Sequence, residues 1–419
     1  MRDALLHTPE GVRDIYGDEL IERNTVTKQI LGKFHSYGFK DIQPPTFEYF
    51  DIFNMNIGSA PSNQTYKFFD RDNNTLVLRP DFTPSVARCV AKYFADEELP
   101  IRLCYKGKTF ASTEKHQGKL AEITQVGSEL INDDSSAADA ETIACVIDCL
   151  KAAGLKEFQI EIGEVDFFKG IIEEANLDAD TEEKIRDYIQ IKNFFGLSEF
   201  ISELDISEEI KEDLNSLSSL FGGLDALDKA ESITKSPRAL EAIERLRKVY
   251  TALSYYEYQE YVSFDLSMIN GYDYYTGIVF SGYTYGTGNP IVKGGRYNNL
   301  LSQFGKDAPS IGFSIYVDEL MNGITRQNIP FERTKKCALI VYTIENQPSA
   351  LRLAQSLREK DVITQLIRKS KRHDEDEYMR YSDVYDAGRV YILQDDSNVR
   401  IISDDRSVDE IRDINDLVI

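Results

Sequence analysis

Residues that commonly carry enzyme chemistry are scarce in this chain. It has four histidines, His7, His35, His116 and His373, and none lies at a recognisable spacing from metal or triad partners. The phosphate patterns GxGxxG and GxxxxGK followed by Ser or Thr, the zinc pattern HExxH and the nucleophile pattern GxSxG do not occur. We therefore expect no metal site, and we interpret the histidines as surface or capping residues.

The five cysteines are an odd number and also lack the spacing of zinc ligands. Cys145 and Cys149 lie four residues apart in an amphipathic helical pattern, which predicts buried free thiols. Residues 1–8 have no apolar core of signal-peptide length, and no stretch approaches the roughly 18 apolar residues of a membrane span. We therefore expect a reduced, cytoplasmic protein with no membrane partner.

The charge of the chain argues against nucleic acid as a partner. There are 48 Lys and Arg against 71 Asp and Glu, so the formal net charge is −23. Nucleic-acid affinity comes largely from cationic groups that displace counterions from phosphates, and a binder of this size normally has a basic domain. The last 85 residues hold 14 basic and 17 acidic side chains, and the remainder is more acidic still. We expect no nucleic-acid partner.

The first third of the chain alternates helix and strand patterns. Apolar residues recur at helical spacing over residues 18–38. Residues 39–45 are extended, but two prolines exclude them from a central strand. Residues 64–79 predict a hairpin around a polar turn. Pro84 then suits the first turn of another helix.

The middle of the chain predicts a second strand pair and a long helical region. Residues 101–110 and 121–131 form the pair, and a helix follows over 136–153. Residues 158–163 alternate like a strand. Residues 167–255 are nearly all helical in pattern, acidic and without strands, which predicts a helical insertion.

Strand patterns return at residues 261–282, 290–293 and 310–314, and the composition turns polar near 325–336, where we place a domain boundary. The tail repeats strand, helix, strand, helix, strand over residues 338–342, 349–359, 363–367, 374–381 and 389–393. That alternation predicts a small α/β domain.

Seven short segments, taken in order, carry a family resemblance. They are Gly11-Val12-Arg13-Asp14, Tyr37-Gly38-Phe39 with Pro45-Thr46-Phe47-Glu48, Leu78-Arg79-Pro80-Asp81-Phe82-Thr83, Gln125-Val126-Gly127-Ser128-Glu129, Gly271-Tyr272-Asp273-Tyr274-Tyr275-Thr276-Gly277, Gly294-Gly295-Arg296-Tyr297 and Ile311-Gly312-Phe313. They resemble the class II catalytic domain of histidyl-tRNA synthetases over roughly residues 5–325. Within that superfamily the chain looks most like the regulatory subunits of ATP phosphoribosyltransferase, non-catalytic paralogues in which Asp replaces the usual synthetase Glu at position 81.

The resemblance implies an α+β fold with an antiparallel class II synthetase-like sheet flanked by helices. Residues 1–325 would form this domain, with the helical insertion at about 167–255, and residues 335–419 the small α/β C-terminal domain. Residues 39–50 resemble the dimer-forming motif of class II synthetases. We therefore expect a homodimer, and such dimers usually have twofold symmetry.

Activation of an amino acid by ATP needs fixed cations, because negative charge builds on the α-phosphate and the leaving pyrophosphate. Class II synthetases supply arginines at three places, and by resemblance these places hold Ala111, Asn270 and Glu319 here. Glu319 would add a negative charge near the phosphates. Lys115 or Lys119 can cover one phosphate but not three fixed positions. The resemblance therefore implies a pocket without catalytic residues and without a cofactor.

The histidine side of the pocket is better retained. Recognition of a free amino acid requires a carboxylate for the ammonium group and polar groups for the imidazole. By resemblance, the residues that hold the α-amino group are Asp81, Thr83 and Gln125. Glu129 and Tyr275 would face the imidazole, and Tyr274 belongs to the same histidine-binding set. The alternative is that these polar residues pair with one another as a core network.

The resemblance implies a regulatory subunit that is required for activity of a short-form ATP phosphoribosyltransferase and relays histidine feedback at the first step of histidine biosynthesis. Its partners would be the catalytic subunit, a second copy of the chain and free histidine as effector. Asn270 cannot replace an arginine at the histidine carboxylate, which weakens the expected affinity. The rival hypotheses are an active histidyl-tRNA synthetase and a synthetase-like amino-acid-binding protein with another partner.

Overall fold

The computed structural model describes residues 6–54, 64–112, 120–269, 275–331 and 337–417. The chain divides into two compact units, Met1–Ile329 and Pro330–Ile419. No helix within these described ranges is long and apolar enough to cross a membrane. The described cysteines Cys89, Cys104, Cys145, Cys149 and Cys337 are all buried free thiols, which the sequence predicted for Cys145 and Cys149.

Helices and strands are interleaved along the chain in the first unit. Its helices are α1 (Gly17–Ser36), α2 (Asp51–Asn54), α3 (Thr83–Tyr93), α4 (Ser136–Ala152), α5 (Val165–Ala175), α6 (Ala179–Gln190), α7 (Phe194–Ser202), α8 (Glu208–Ser216), α9 (Leu224–Ile233), α10 (Pro237–Tyr255) and α11 (Val317–Arg326). Its strands are β1 (Lys40–Asp41), β2 (Phe47–Tyr49), β3 (Lys67–Phe69), β4 (Thr75–Leu78), β5 (Ile101–Phe110), β6 (Glu122–Ile131), β7 (Phe158–Glu164), β8 (Phe221–Gly222), β9 (Val262–Asp265), β10 (Ile278–Thr284), β11 (Val292–Arg296) and β12 (Ser310–Tyr316).

A nine-stranded sheet forms the centre of this unit, in the order β1-β5-β6-β12-β11-β10-β7-β9-β8. Its central strands pair antiparallel, as expected, and the pairs β1·β5 and β7·β9 are parallel. The predicted hairpin forms as β3 and β4, which join β2 in a separate three-stranded sheet. These pairings fix which side chains share a face of each sheet.

Local sequence signals explain where three helices of this unit begin or end. Helix α1 buries Val26, Ile30 and Phe34, and Gly38, at a φ of +80°, turns the chain out of it. Pro84 lies in the first turn of α3, where its missing N–H costs nothing. The Ser135 side chain accepts a hydrogen bond from the Ala138 amide and caps α4.

The expectation that residues 167–255 contain no strand is wrong at one point. The two-residue strand β8 pairs antiparallel with β9, joining Phe221 to Asp265 and Gly222 to Phe264. Two residues are too few to produce a period-two pattern in the sequence. The remainder of the insertion is helical, from α5 to α10.

The second unit contains a five-stranded sheet with two helices. Its elements are β13 (Cys337–Tyr342), α12 (Gln347–Glu359), β14 (Thr364–Arg368), α13 (Glu375–Val384), β15 (Ala387–Leu393), β16 (Asn398–Ser403) and β17 (Asp409–Asp413). Strand β13 lies between β14 and β15 and is parallel to both, while β16 and β17 add antiparallel. The sequence predicted the alternation through β15 but not this final hairpin. Strand β17 is mostly charged, a composition that strand propensity disfavours.

Candidate functional site

A cavity of about 190 Å³ lies at the first unit's central sheet. Strands β6, β11 and β12 contribute lining residues, and the segment that leads into α3 contributes others. Its size suits a ligand smaller than the drug-sized molecules that occupy pockets of roughly 300–1,000 Å³. The predicted residues that line it are Asp81, Thr83, Ala111, Gln125 and Tyr275. Asn270 and Tyr274 lie outside the described residues.

Arg79 fixes the segment that carries Asp81 and Thr83. Its guanidinium group donates to the carbonyl oxygens of Pro44, Pro45 and Lys108 at 2.9–3.0 Å. Burial lowers the pKa of Arg79 to about 10, a value at which the group stays charged at neutral pH. The guanidinium carbon also lies 3.9 Å from the centre of the Phe82 ring. Arg79 therefore has a structural role behind the cavity.

Glu129 is the centre of a buried hydrogen-bond network. Thr83 Oγ1 and the Tyr105 hydroxyl donate to its Oε1 at 2.9 and 3.1 Å, and the Tyr297 hydroxyl donates to Oε2. The ring of Tyr105 stacks on Phe82, with ring centres 4.3 Å apart. Glu129 is 1% exposed and does not belong to the cavity lining, so it lies one layer behind Thr83 and Tyr297.

Burial raises the pKa of Glu129 to about 8, an effect that the hydroxyl donors oppose and the nearby Asp81 carboxylate adds to. The carboxyl is therefore mostly neutral at pH 7. Burial also raises the pKa values of Tyr105 and Tyr297 well above the ordinary range. The network then consists of neutral groups, and the protonated carboxyl donates one of its three hydrogen bonds instead of accepting it.

Gly312 makes room for the Glu129 carboxylate. A Cβ atom at this position would lie 1.5 Å from Glu129 Oε2 and 2.7 Å from the Ser128 carbonyl oxygen. Strand β12 pairs Gly312 directly with Glu129 on β6, so the two residues cannot separate without breaking the ladder. Glycine is therefore required here by close approach and not by backbone conformation.

The lining offers hydrogen-bond acceptors for a positively charged group. Asp81 Oδ1 accepts from the Phe82 amide at 2.7 Å, and its carboxylate lines the cavity. In the part of the chain that the structure describes, the buried Gln125 Oε1 has no hydrogen-bond partner. A buried acceptor without a partner costs free energy unless a ligand supplies the donor. The pair of Asp81 and Gln125 is suited to an ammonium group.

Lys293 is a lining residue that the sequence analysis missed. It lies on β11, half-buried, and burial lowers its pKa. Its position was visible in the sequence as a lone cation between Val292 and the Gly294-Gly295 pair in a strand that is otherwise buried. Since the Asp81 carboxylate and the Lys293 ammonium line the same cavity, both ends of a zwitterion can be paired there.

The glycine pair beside Lys293 has a packing role. Added Cβ atoms at Gly294 and Gly295 would lie 2.4 Å from the Phe280 ring and 2.6 Å from the Tyr275 ring. The structure places neither glycine in the cavity lining. The next residue, Arg296, is buried and binds the Asp139 carboxylate at 2.6 and 2.9 Å. Of this motif, only Tyr297 reaches the cavity.

Two of the three positions where synthetases carry arginine are described. Ala111 lines the cavity, and its methyl group offers no charge. Glu319 lies on α11 outside the lining, and its carboxylate accepts from Asn289 Nδ2 at 2.9 Å and Asn322 Nδ2 at 3.4 Å. The neighbouring Asp318 forms a buried ion pair with Arg23 at 2.9 Å.

Comparison with known proteins gives the family. The histidyl-tRNA synthetase family model matches residues 11–320. A protein of Ruminiclostridium cellulolyticum named ATP phosphoribosyltransferase regulatory subunit is 40% identical over 357 residues, 85% of each chain. One of the same name from Acetivibrio thermocellus is 35% identical over 401 residues, 96% of each chain.

Solved structures agree with these relatives. A crystal structure from Bacillus halodurans, titled as an ATP phosphoribosyltransferase regulatory subunit/histidyl-tRNA synthetase, is 31% identical and aligns with a TM-score of 0.83 over 90% of this chain and 96% of that one. A histidyl-tRNA synthetase from Nostoc shares the fold, with a TM-score of 0.79 at 19% identity over 98% of both chains. The chain therefore belongs to the histidyl-tRNA synthetase family and, within it, to the proteins named ATP phosphoribosyltransferase regulatory subunit.

Proposed function

We propose that this chain is the non-catalytic subunit that activates a short-form ATP phosphoribosyltransferase and senses free histidine in the cavity beside Asp81. The observation that carries the proposal is the composition of that cavity. It retains groups that suit an amino acid, and among its described lining residues Lys293 is the one cation. The names of the relatives support the catalytic subunit as partner, and the composition of the cavity supports histidine as effector.

Charge and hydrogen bonding support histidine as the ligand. The ammonium group would donate to the Asp81 carboxylate and to Gln125 Oε1, which has no hydrogen-bond partner among the described residues. The histidine carboxylate would pair with Lys293, whose charge would compensate for the absence of an arginine at position 270. Tyr275 and Tyr297 line the cavity and offer ring surfaces to the imidazole. We assign Glu129 a positioning role, because it holds Thr83 and Tyr297 in place from behind.

The same cavity is poorly suited to amino-acid activation. The reaction would place three phosphates in a site whose lining carries one described cation and an alanine at position 111. Stabilisation of the leaving pyrophosphate by fixed charges is the main way such sites lower the barrier. We therefore propose that histidine binds without being adenylated.

We also propose a homodimer formed through residues 39–50. This segment contains β2, whose Phe47 and Tyr49 are 52% and 57% exposed, and Phe68 on β3, the other outer strand of the small sheet, is 37% exposed on the same face. Phe47 and Phe68 pack edge to face across the small sheet. Exposed aromatic residues in one patch are typical of an interaction surface.

Two measurements on the purified chain test the proposal. Calorimetric titration with histidine should show binding, and histidine-dependent pyrophosphate exchange with ATP should stay at background. Exchange clearly above background would establish the rival hypothesis of an active synthetase. If histidine does not bind, the cavity is not the sensor.

Co-purification separates the remaining rival. Under the proposal, the chain recovers the short-form catalytic subunit when both are expressed together. If neither that subunit nor its activity is recovered, the result favours the rival hypothesis of an amino-acid-binding protein with another partner.

A further inference from the structure

Three residues of different chemistry come together at the edge of the nine-stranded sheet, away from the cavity. Strand β1 is the edge strand and pairs parallel with β5, with Asp41 opposite Cys104. The Ile42 amide donates to the Cys104 carbonyl oxygen at 2.8 Å and fixes this register. His35 lies in the last turn of α1, immediately before the Gly38 turn that leads into β1.

The side chains of these residues lie within bonding reach of one ion. His35 Nε2 is 3.0 Å from Asp41 Oδ2, and Cys104 Sγ is 3.6 Å from Asp41 Oδ1. The three donor atoms all lie within 4.8 Å of one another. Around a tetrahedral zinc ion with bonds of about 2.0–2.3 Å, donors are about 3.3–3.7 Å apart. Small side-chain rotations would bring the set to that geometry.

We propose that His35, Asp41 and Cys104 form a binding site for a divalent transition metal ion, with zinc as the ion that their chemistry favours. Thiolate, imidazole and carboxylate together are a donor set for zinc and not for magnesium or calcium, which prefer oxygen. The three protein ligands leave a fourth position for water or a partner's side chain. The ion would join the end of α1 to the sheet edge.

Two of the three proposed ligands are open to solvent. The side chains of His35 and Asp41 are 49% and 68% exposed, while Cys104 is buried beneath them. A thiol carries its proton at neutral pH, so the ion displaces that proton when the metal–sulfur bond forms, and one proton passes to solvent.

A second histidine–carboxylate pair in the chain provides a matched comparison. His373 Nδ1 is 3.1 Å from Glu377 Oε2, and its side chain is 53% exposed. No thiol joins this pair, and among the described residues the cluster at His35 is the one group of three such ligands close enough together to share an ion. The His373–Glu377 pair therefore differs from the proposed site in lacking a cysteine sulfur. Nothing in the sequence spacing showed this, because the ligands are contributed by three separate elements.

The test uses cobalt(II) as a spectroscopic probe on the full-length chain after treatment with a chelator. One equivalent should produce thiolate-to-cobalt absorption and tetrahedral visible bands, zinc should displace it, and about one proton should be released. His35→Gln should weaken cobalt binding at least tenfold, and Cys104→Ser should abolish the thiolate band. His373→Gln, the matched control, should behave as the unmodified chain.

The proposal is overturned if one equivalent of cobalt gives no thiolate band, or if Cys104→Ser retains it. Should Cys104→Ser fail to fold, His35→Gln decides, because its side chain is half exposed. Equal cobalt affinity in His35→Gln and His373→Gln would then rule the site out. None of these readouts depends on histidine binding or on a catalytic partner.

Discussion

At the scale of single residues, the segment 79–83 contains residues that stabilise the fold and residues that line the cavity. Arg79 holds the loop to Pro44 and Pro45, and Phe82 stacks between Arg79 and Tyr105. Asp81 lines the cavity. Thr83 does both, since it lines the cavity and donates to Glu129. A short motif is thereby restricted by packing as well as by recognition.

Replacement of Lys293 by Gln should weaken histidine binding by about tenfold or more, because a charge-assisted hydrogen bond contributes roughly 1.5–3 kcal/mol. Lys108→Gln is the matched control: Lys108 lies on β5, pairs with Glu122 and is absent from the lining. Calorimetric titration of both variants gives the comparison. Equal affinity of Lys293→Gln and Lys108→Gln would show that the ligand carboxylate lies elsewhere.

Glu129 should make stability depend on pH. Its pKa is raised from 4.5 to about 8 by burial, so the folded state holds the proton more tightly than the unfolded chain. Its contribution is fully present below about pH 4.5 and is lost as pH rises towards 8. Between pH 5.5 and 8.5, urea unfolding should therefore lose more free energy in the unmodified chain than in Glu129→Gln.

The expected difference exceeds about 1.4 kcal/mol, the equivalent of one pKa unit. Glu164, whose pKa burial also raises to about 8, adds a similar slope that both proteins share. Glu199→Gln, a change at an exposed position, should follow the unmodified chain. Identical pH slopes for Glu129→Gln and Glu199→Gln would mean that Glu129 is not protonated in the folded state.

The sequence allowed much of the cavity to be predicted at this scale. Asp81, Thr83, Gln125 and Tyr275 all reach it. Lys293 was not predicted, because a single cation beside two glycines is not a recognisable motif. The position of Glu129 behind the cavity lining could not be predicted either, because a motif identifies a residue but not how deeply its side chain lies.

At the scale of elements, strand register determines which residues meet. Gly312 on β12 lies opposite Glu129 on β6, and Asp41 on β1 lies opposite Cys104 on β5. The first pairing leaves space for a buried carboxyl, and the second brings a carboxylate to a thiol. Register of this kind was not visible in the sequence, because it depends on pairing between segments far apart in the chain.

The exposed face of the small sheet should hold the homodimer together. Phe47→Glu would place a charge in an apolar interface, so sedimentation should shift from a dimer towards the 47.8 kDa monomer. Phe195→Glu, at a phenylalanine 76% exposed on α7, is the control and should stay dimeric. A dimer in both variants, or a monomer in the unmodified chain, would contradict the proposed interface.

Long helices and strands were predicted more reliably than short or highly charged strands. The long strands β5 and β6 and helices α1 and α4 were identified from periodicity over ten or more residues. Strand β8 has two residues and β17 is mostly charged, so neither produces a recognisable pattern. Tertiary pairing stabilises such strands, and local sequence carries little of that information.

At the scale of the whole molecule, a chain of net charge −23 has a synthetase fold with a cavity that we propose binds an amino acid. Under our proposal, the chain distinguishes histidine without consuming ATP. If histidine occupancy shifts the complex between states of different activity, the coupling must be reciprocal and is typically about 1–3 kcal/mol. Binding of the catalytic subunit should therefore change the histidine affinity of this chain.

The most direct test mixes the purified chain with a short-form catalytic subunit and follows phosphoribosyl transfer from phosphoribosyl pyrophosphate to ATP. We expect the rate to rise on mixing and to fall again when histidine is added, with a weaker fall when the chain carries Lys293→Gln. Absence of a complex together with an unchanged rate would contradict the proposed function.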